Sequence, residues 1–440
     1  MKKKATPIWS KSSEEQSAFE GIHEFTVGRD REFDLLLAPF DMEGTKAHTT
    51  MLERIGLLSR EELSLVLEAL DQMLERCREG RFSLDPNVED VHSQIEYELI
   101  QSLGAVGEKI HTGRSRNDQV LTAIKLYLRS EIQQIAELVE RLFVVLTSLA
   151  GKFREELMPG YTHYQIAMPS SVGLWLSSYA ESLTDDLELL SAAQRIALKN
   201  PLGSGAGYGS SFPLDRRLTT DLLGFKSMHV NSIYAQKSRG KTERFLAVAM
   251  ASIGSTIGGL SNDLCLYLGQ NFGFFSFPDT ITTGSSIMPH KKNPDVFELI
   301  RAKTSRLQSL PSELTLLSHN LATGYNRDMQ LTKEILFPAI QELKSCLKML
   351  IGVLPELKVE KGLLNDPKYE YLFSVEKINQ LMQKGTTFRQ AYQEVGKSIQ
   401  NGCYTYEPSE LHYSHVGSVG VLGLDLIGKD FYEVLEKIKE

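Results

Sequence analysis

Across residues 118–153 the apolar side chains Leu121, Ile124, Leu128, Ile132, Ile135, Val139, Leu142 and Leu146 fall three or four positions apart. A strand cannot use that spacing, because its side chains alternate with period two. A helix of 3.6 residues per turn gathers all eight into one stripe. Such a helix is too apolar on one face to stand alone. The spacing recurs at Phe245, Ala249, Ile253, Thr256, Leu260 and Leu264, and again at Val296, Ile300, Leu307, Leu310, Leu314, Leu317 and Leu321. These runs predict an all-α fold built on a bundle of long helices. Ala251, Ser252, Gly254, Ser255, Gly258 and Gly259 let neighbouring backbones approach closely, at up to about 1 kcal/mol of helix propensity per glycine. The stripes either fill one chain's core or continue into other subunits, and the sequence leaves both open.

The chain has 440 residues, enough for about three domains at roughly 150 residues each. Residues 1–113 and 355–440 carry shorter helical patterns broken by Gly and Pro, and read as end domains around a central bundle domain at 114–354. Forty-eight basic against 56 acidic residues give a net charge of −8. That charge is spread along the chain, so there is no basic stripe for phosphate contacts and no nucleic-acid partner is expected. Lys2, Lys3 and Lys4 lead into a polar run rather than the apolar core of a secretory leader. No stretch approaches the roughly 18 apolar residues needed for a membrane span, and no membrane partner is expected. Cys77, Cys265, Cys346 and Cys403 are too scattered for a metal pair or a disulfide framework. They are expected to be small buried residues in a reducing cytoplasm.

Polar islands interrupt the helical pattern. "HTGRSRNDQV" (111–120) stands where the first long stripe starts. Asn117 or Asp118 suits an N-cap, while Arg114 and Arg116 add what a carboxylate or phosphate site requires; His111 reads as structural. "MPGYTHYQIAMPSS" (158–171) places Thr162 and His163 in a turn bounded by Pro and Gly. A turn histidine is usually solvated and idle, yet it is the side chain best suited to proton exchange near neutrality. "TGSSIMPHKKNPD" (283–295) is a loop by its Gly and Pro residues, and its glycine–lysine order excludes a Walker loop. What remains is a loop offering N–H groups and ammonium charge to an anion beside a serine oxygen. Glu298 and Arg301 follow on the next helix. "GYNRDMQLTK" (324–333) reads as the end of another long helix, with Tyr325, Asn326, Arg327, Gln330 and Lys333 close together.

The islands "TGRSRNDQ", "GYTHYQ", "GSSIMPHKKNP" and "YNRDMQ", in this order between long helices, closely resemble the signature regions of the fumarase/aspartase superfamily and, within it, of the argininosuccinate lyases. The Gly-Ser-Ser-x-Met-Pro-x-Lys-x-Asn pattern is that of the superfamily; "TGRSRNDQ" and Tyr-Asn-Arg-Asp-x-Gln point to the lyases. The resemblance covers about residues 34–396. It implies a three-domain helical fold and cleavage of argininosuccinate to arginine and fumarate by elimination, with no metal or organic cofactor. It also implies a homotetramer built around helices from four subunits. In that assembly the first three islands of each active site come from different chains.

By the same resemblance Ser285 removes the proton, and His163 protonates the departing guanidino nitrogen or, in the alternative assignment, acts as the base. Glu298 partners that histidine. Arg114, Ser115, Arg116, Asn117 and Thr162 surround the succinyl part, and Lys291 and Asn293 hold its carboxylates. Tyr325, Gln330 and Lys333 hold the arginine part, with Arg327 in the same cluster. The elimination passes through a doubly negative aci-carboxylate, so fixed positive charge and N–H donors are needed where that charge develops. A serine hydroxyl is a poor base in water, and Ser285 can serve only as an alkoxide stabilised by loop N–H groups and lysine charge.

The chain departs from the family's pattern in three places. His290 stands where glutamine is usual, "TVGRDRE" (26–32) replaces an Asn-Ala-Ser-like segment with a substrate-binding serine, and "YLFSVEKINQLMQKG" (371–385) replaces an Ala-Thr-Asp-rich stretch. An adenylosuccinate lyase would share the fold and serine loop, but the Tyr325/Gln330/Lys333 set argues against a nucleotide site. A catalytically idle, crystallin-like relative would have no need of His163, Ser285 and Glu298.

Overall fold

The computed structural model describes residues 21–85, 88–407 and 411–439. Six helices come first: α1 (Gly21–Val27), α2 (Asp30–Asp34), α3 (Ala38–Arg54), α4 (Arg60–Arg78), α5 (Val91–Leu103) and α6 (Ala105–Lys109). They lead to α7 (Arg116–Lys152), 37 residues long. A hairpin of β1 (Leu157–Thr162) and β2 (Gln165–Ser171) connects it to α8 (Val172–Ala197). Then come α9 (Arg216–Leu222), α10 (Ser232–Lys237), α11 (Lys241–Leu268), α12 (Asp295–Leu307), α13 (Leu310–Ser318) and α14 (Thr332–Val353), followed by α15 (Ser374–Gln383), α16 (Phe388–Gln400) and α17 (Leu424–Lys439). Short strand pairs join β3 (Lys199–Asn200) to β4 (Ser227–Met228) and β5 (Phe275–Ser276) to β6 (Lys358–Val359).

Two compact units divide this chain. The first comprises the described residues up to Ile135 with Leu189–Ala251 and Leu307–Glu342; the second comprises Ala136–Glu188, Ser252–Arg306 and the described residues from Leu343 onward. In the first unit Leu121, Ile124, Leu128, Ile132 and Ile135 of α7 are buried, and in the second so are Val139, Leu142 and Leu146. The whole expected stripe is therefore core. Each such side chain contributes about 1.5–3 kcal/mol.

Three expectations are corrected. The stripe from Val296 to Leu321 is not one helix: α12 ends at Leu307 and α13 starts at Leu310, with Pro311 in its first turn. Proline lacks the N–H that an interior helical position must donate, but a first-turn N–H has no partner to lose. Residues 324–333 open a helix instead of ending one, a 3-10 turn over Arg327–Leu331 running directly into α14. Of the four cysteines only Cys346 is buried, and Cys403 is exposed. In addition, the helical run Ser232–Leu268 has a most apolar window with mean hydropathy 1.3, a composition closer to a membrane span than the sequence reading allows. Its apolar residues Leu246, Ala249, Met250, Ile253 and Leu264 are core residues here.

Candidate active site

The first unit holds a cavity of about 210 Å3. The start of α7 supplies Arg116 and Asn117 to its wall, and the turn before α14 supplies Tyr325, Arg327, Gln330 and Lys333. Those two islands, more than two hundred positions apart in sequence, thus meet in one place. The beginning of α7 is held by a reciprocal cap: Ser115 Oγ accepts from Asn117 N–H at 3.3 Å, and Asp118 Oδ1 accepts from Ser115 N–H at 2.9 Å. The cap is therefore Ser115, not Asn117 or Asp118. Asp118 does more, because its Oδ2 accepts from the N–H groups of Gly203 at 2.9 Å and Gly205 at 2.8 Å, tying down the glycine-rich loop after β3. Those glycines have φ of +83° and +60°, and a Cβ on Gly205 would meet Gly209 O at 2.9 Å. Burial pushes Asp118 up to about 6 despite these donors.

Two residues of α3 fix the same segment from behind. His48 Nε2 donates to Thr112 O at 3.0 Å, and Arg114 Nη1 donates to Thr45 Oγ1 at 2.9 Å. Arg114 is buried, and burial lowers its pKa. Burial also holds His48 down to about 3 and His111 to about 4, so both rings are neutral at physiological pH. Arg114 does not line the cavity, and Ser115 spends its hydroxyl on the cap.

Every cation at the cavity but one is met by an acid. Arg116 pairs with Asp90 at 2.5 Å, Arg327 with Glu89 at 2.6 Å, and Lys333 with Asp34 at 2.5 Å and Asp30 at 2.6 Å. Burial works against the Lys333 charge, yet Asp34 and Asp30 hold its pKa above the ordinary value. Arg239 is the exception, with no ion pair among the described residues although its charge acts on Asp30; it stacks 5.1 Å over the Tyr325 ring and donates to Met329 O at 3.3 Å. Gln330 donates to Thr26 O and Val27 O at 3.0 and 3.1 Å while accepting from Arg327 Nε at 3.2 Å. It thereby anchors the divergent amino-terminal segment. His92 also lines the cavity, 3.0 Å from the buried Asp41. Burial alone would raise Asp41, but His92, Arg114 and Gln119 keep it below the usual carboxylate range.

The second unit carries the remaining candidates. Thr162 ends β1, and His163 and Tyr164 form the two-residue turn with φ of 52° and 59°. Two successive positive φ values match the twist of a tight hairpin. For residues other than glycine they cost on the order of 1 kcal/mol each, a strain that clusters at functional sites. The hairpin is bulged at Gly160, where a Cβ would meet Met168 O at 2.9 Å. Beneath it, Tyr161 packs on Phe272 and Phe274, and its hydroxyl lies 3.2 Å from that of Tyr369.

The loop at 283–293 is closed at its base by a two-bond bridge: Thr283 N–H donates to Asn293 O at 3.2 Å and Asn293 N–H to Thr283 O at 2.8 Å. Inside it, Ser285 Oγ accepts from the N–H groups of Met288 at 3.1 Å and Ile287 at 3.3 Å. This is the donor arrangement an alkoxide at Ser285 requires. Lys291 is exposed, Lys292 pairs with Asp279, and Asn293 Nδ2 lies 3.5 Å from Gly284 O. Glu298 is exposed in the first turn of α12, and Arg301 on the same helix donates to Asn262 Oδ1 at 3.0 Å. Among the described residues no hydrogen bond or ion pair joins His163, Ser285 and Glu298 to one another.

Sequence reasoning missed Asp30, Asp34, Glu89, Asp90, His92 and Arg239 at the cavity. A signal existed for the first two, since a spacing of four places Asp30 and Asp34 on one helix face. The others become site residues only through contacts distant in sequence.

Known proteins can now be set beside this geometry. Residues 5–309 match the family described as "Lyase". An argininosuccinate lyase of Bacteroides thetaiotaomicron is 52% identical over 432 residues, covering 98% of this chain and 96% of that protein. One of Parabacteroides distasonis is 54% identical over 398 residues, covering 90% and 89%, and one of Thermotoga neapolitana is 36% identical over 390 residues, covering 89% and 97%. Among solved structures, an EDDS lyase variant with bound fumarate superposes with a TM-score of 0.77 at 21% identity, covering 94% of this chain and 90% of that one. A fumarate lyase:delta crystallin from Brucella melitensis gives 0.70 at 16% identity, covering 93% and 91%. At those identities the structures speak for the fold, while the near full-length sequence matches speak for the family: the chain belongs to the argininosuccinate lyases of the fumarase/aspartase superfamily.

Proposed function

We propose that this protein cleaves argininosuccinate to arginine and fumarate, with Ser285, His163 and Glu298 as its catalytic residues. Ser285 as alkoxide takes the proton from the succinyl carbon beside a carboxylate, and the electron pair left behind spreads into that carboxylate. Collapse of the aci-carboxylate forms the fumarate double bond and breaks the C–N bond. The departing guanidino nitrogen takes a proton from His163, which Glu298 orients. Arg114, Ser115, Arg116, Asn117, Thr162, Lys291 and Asn293 surround the succinyl part; Tyr325, Arg327, Gln330 and Lys333 surround the arginine part.

The observation that carries this reading is Ser285 Oγ receiving two loop N–H groups, from Met288 and Ile287. Charge on that oxygen is met by fixed dipoles already in place. The same reading includes a cytoplasmic homotetramer acting in arginine biosynthesis, with sites shared between chains; exposure of His163 and Glu298 in the single chain supports sharing. The test is purified protein given argininosuccinate, with fumarate followed by its ultraviolet absorbance. Release of fumarate from argininosuccinate is the expected result. Release from adenylosuccinate alone, or from neither, rejects the assignment.

A further inference from the structure

Lys333 meets two carboxylates at once, although one is enough to neutralise an ammonium. The two are not equivalent. Asp34 has a side chain only 1% exposed, and its second oxygen also receives Val91 N–H at 3.4 Å. Asp30 has a side chain 16% exposed, lines the cavity, and is reached by no described donor other than Lys333. Glu89 and Asp90, the other acids of that wall, are each matched by an arginine. Burial and the neighbouring charge of Asp34 push Asp30 up to about 6 against the pull of Lys333 and Arg239. Only Oδ1 of Asp30 is engaged, by Lys333, and no described donor reaches its other oxygen, so a cationic N–H group entering the cavity finds an acceptor there. Lys333 has three N–H groups and two engaged partners, leaving one for an anion. A carboxylate with spare capacity thus adjoins an ammonium with spare capacity.

That pairing is complementary to the α-carbon of an amino acid. It rests on the reading above, in which the cavity takes the arginine part. We propose that Asp30 determines specificity by receiving the free α-ammonium group of that part, while Lys333 receives its α-carboxylate. The substrate class is then restricted to guanidino compounds with an unacylated α-amino group.

The reverse reaction tests this directly, with fumarate and a choice of amine: L-arginine, Nα-acetyl-L-arginine, or 5-guanidinopentanoate, which keeps the carboxylate and lacks the α-ammonium. Wild type should use arginine with a kcat/KM about 10- to 100-fold above either analogue, the usual worth of one charged hydrogen bond. In Asp30→Asn the preference for arginine over 5-guanidinopentanoate should be lost, through KM more than kcat, the value for arginine falling at least about tenfold further than that for 5-guanidinopentanoate. Asp30→Glu should restore part of the preference. If Asp30→Asn lowers both amines equally, Asp30 serves only to hold Lys333 and the proposal is overturned. Equal use of all three amines by wild type overturns it without any variant, should Asp30→Asn fail to fold. A wild type inactive even on argininosuccinate overturns the functional reading itself, and this contact with it.

Discussion

Replacing His48 with glutamine should flatten the acid limb of stability. The ring lies fully buried on α3, donating from Nε2 to Thr112 O at 3.0 Å. Burial, then the positive charge of Arg114, holds it near pKa 3 instead of 6.5. Because the folded value is below the unfolded one, the unfolded chain binds the extra proton between those limits, and stability is lost as pH falls through that window. One such histidine costs about 2 kcal/mol at pH 5 and about 0.2 kcal/mol at pH 7. His229 near 3 and His111 near 4 act in the same direction. Asp30 and Asp118, each raised to about 6, act oppositely, since the folded state takes up their protons first as pH falls. Comparison with His48→Gln cancels all of these. Glutamine keeps an N–H for Thr112 O and has nothing to titrate, so wild type should lose about 2 kcal/mol more than the variant between pH 7 and pH 5. Urea unfolding at one protein concentration and both pH values measures this. A difference below about 0.5 kcal/mol would mean that His48 titrates normally and is not the buried neutral donor described.

Three other substitutions follow from the site. Ser285→Ala should lower kcat by at least about a thousandfold with substrate affinity nearly intact; near-normal kcat here, with loss in Ser286→Ala, would move the role one residue along. Asp118→Ala removes the acceptor of three N–H groups, and should cost about 1–3 kcal/mol and strip hydrogen-exchange protection from Gly203 and Gly205; full protection at those amides would reject the tie. His163→Asn and Ser285→Ala, each inactive, should regain partial activity when co-expressed, and mixed tetramers verified by mass spectrometry that stay inactive would reject sharing of the site between chains.

What could be read in advance depended on whether the signal was local. The stripe of α7 was legible because a 3.6-residue period survives any tertiary context. Its cap was spelled out as Ser115-x-x-Asp118, and the neighbouring Asn117 drew the reading away from it. The break before α13 was announced by Pro311. The hairpin carrying His163 was not announced, because Pro159, Pro169 and the bulge at Gly160 destroy the alternation by which strands are recognised. The Asp34–Lys333 pair spans 299 positions. No local pattern encodes such a contact, so the spacing of Asp30 and Asp34 could mark a shared helix face but not the lysine it meets, and Glu89 and Asp90 carried no signal at all.

The two halves of the candidate chemistry are in different states of completion within one chain. The cavity of the first unit is lined by ion pairs and buried side chains, its charges largely balanced within the chain itself. In the second unit His163 and Glu298 lie in solvent, and apolar neighbours of the candidate catalytic groups are bare as well: Tyr164 is 87% exposed and Ile287 83%. A serine alkoxide and an aci-carboxylate both need a site from which water is excluded, since bulk water would protonate them and screen the dipoles that stabilise them. Exposed apolar side chains beside an unfinished catalytic set are what a surface has before a partner covers it. The covering surface that fits the proposed tetramer is another copy of this chain, which would bury Tyr164 and Ile287 and dry the site in the same step.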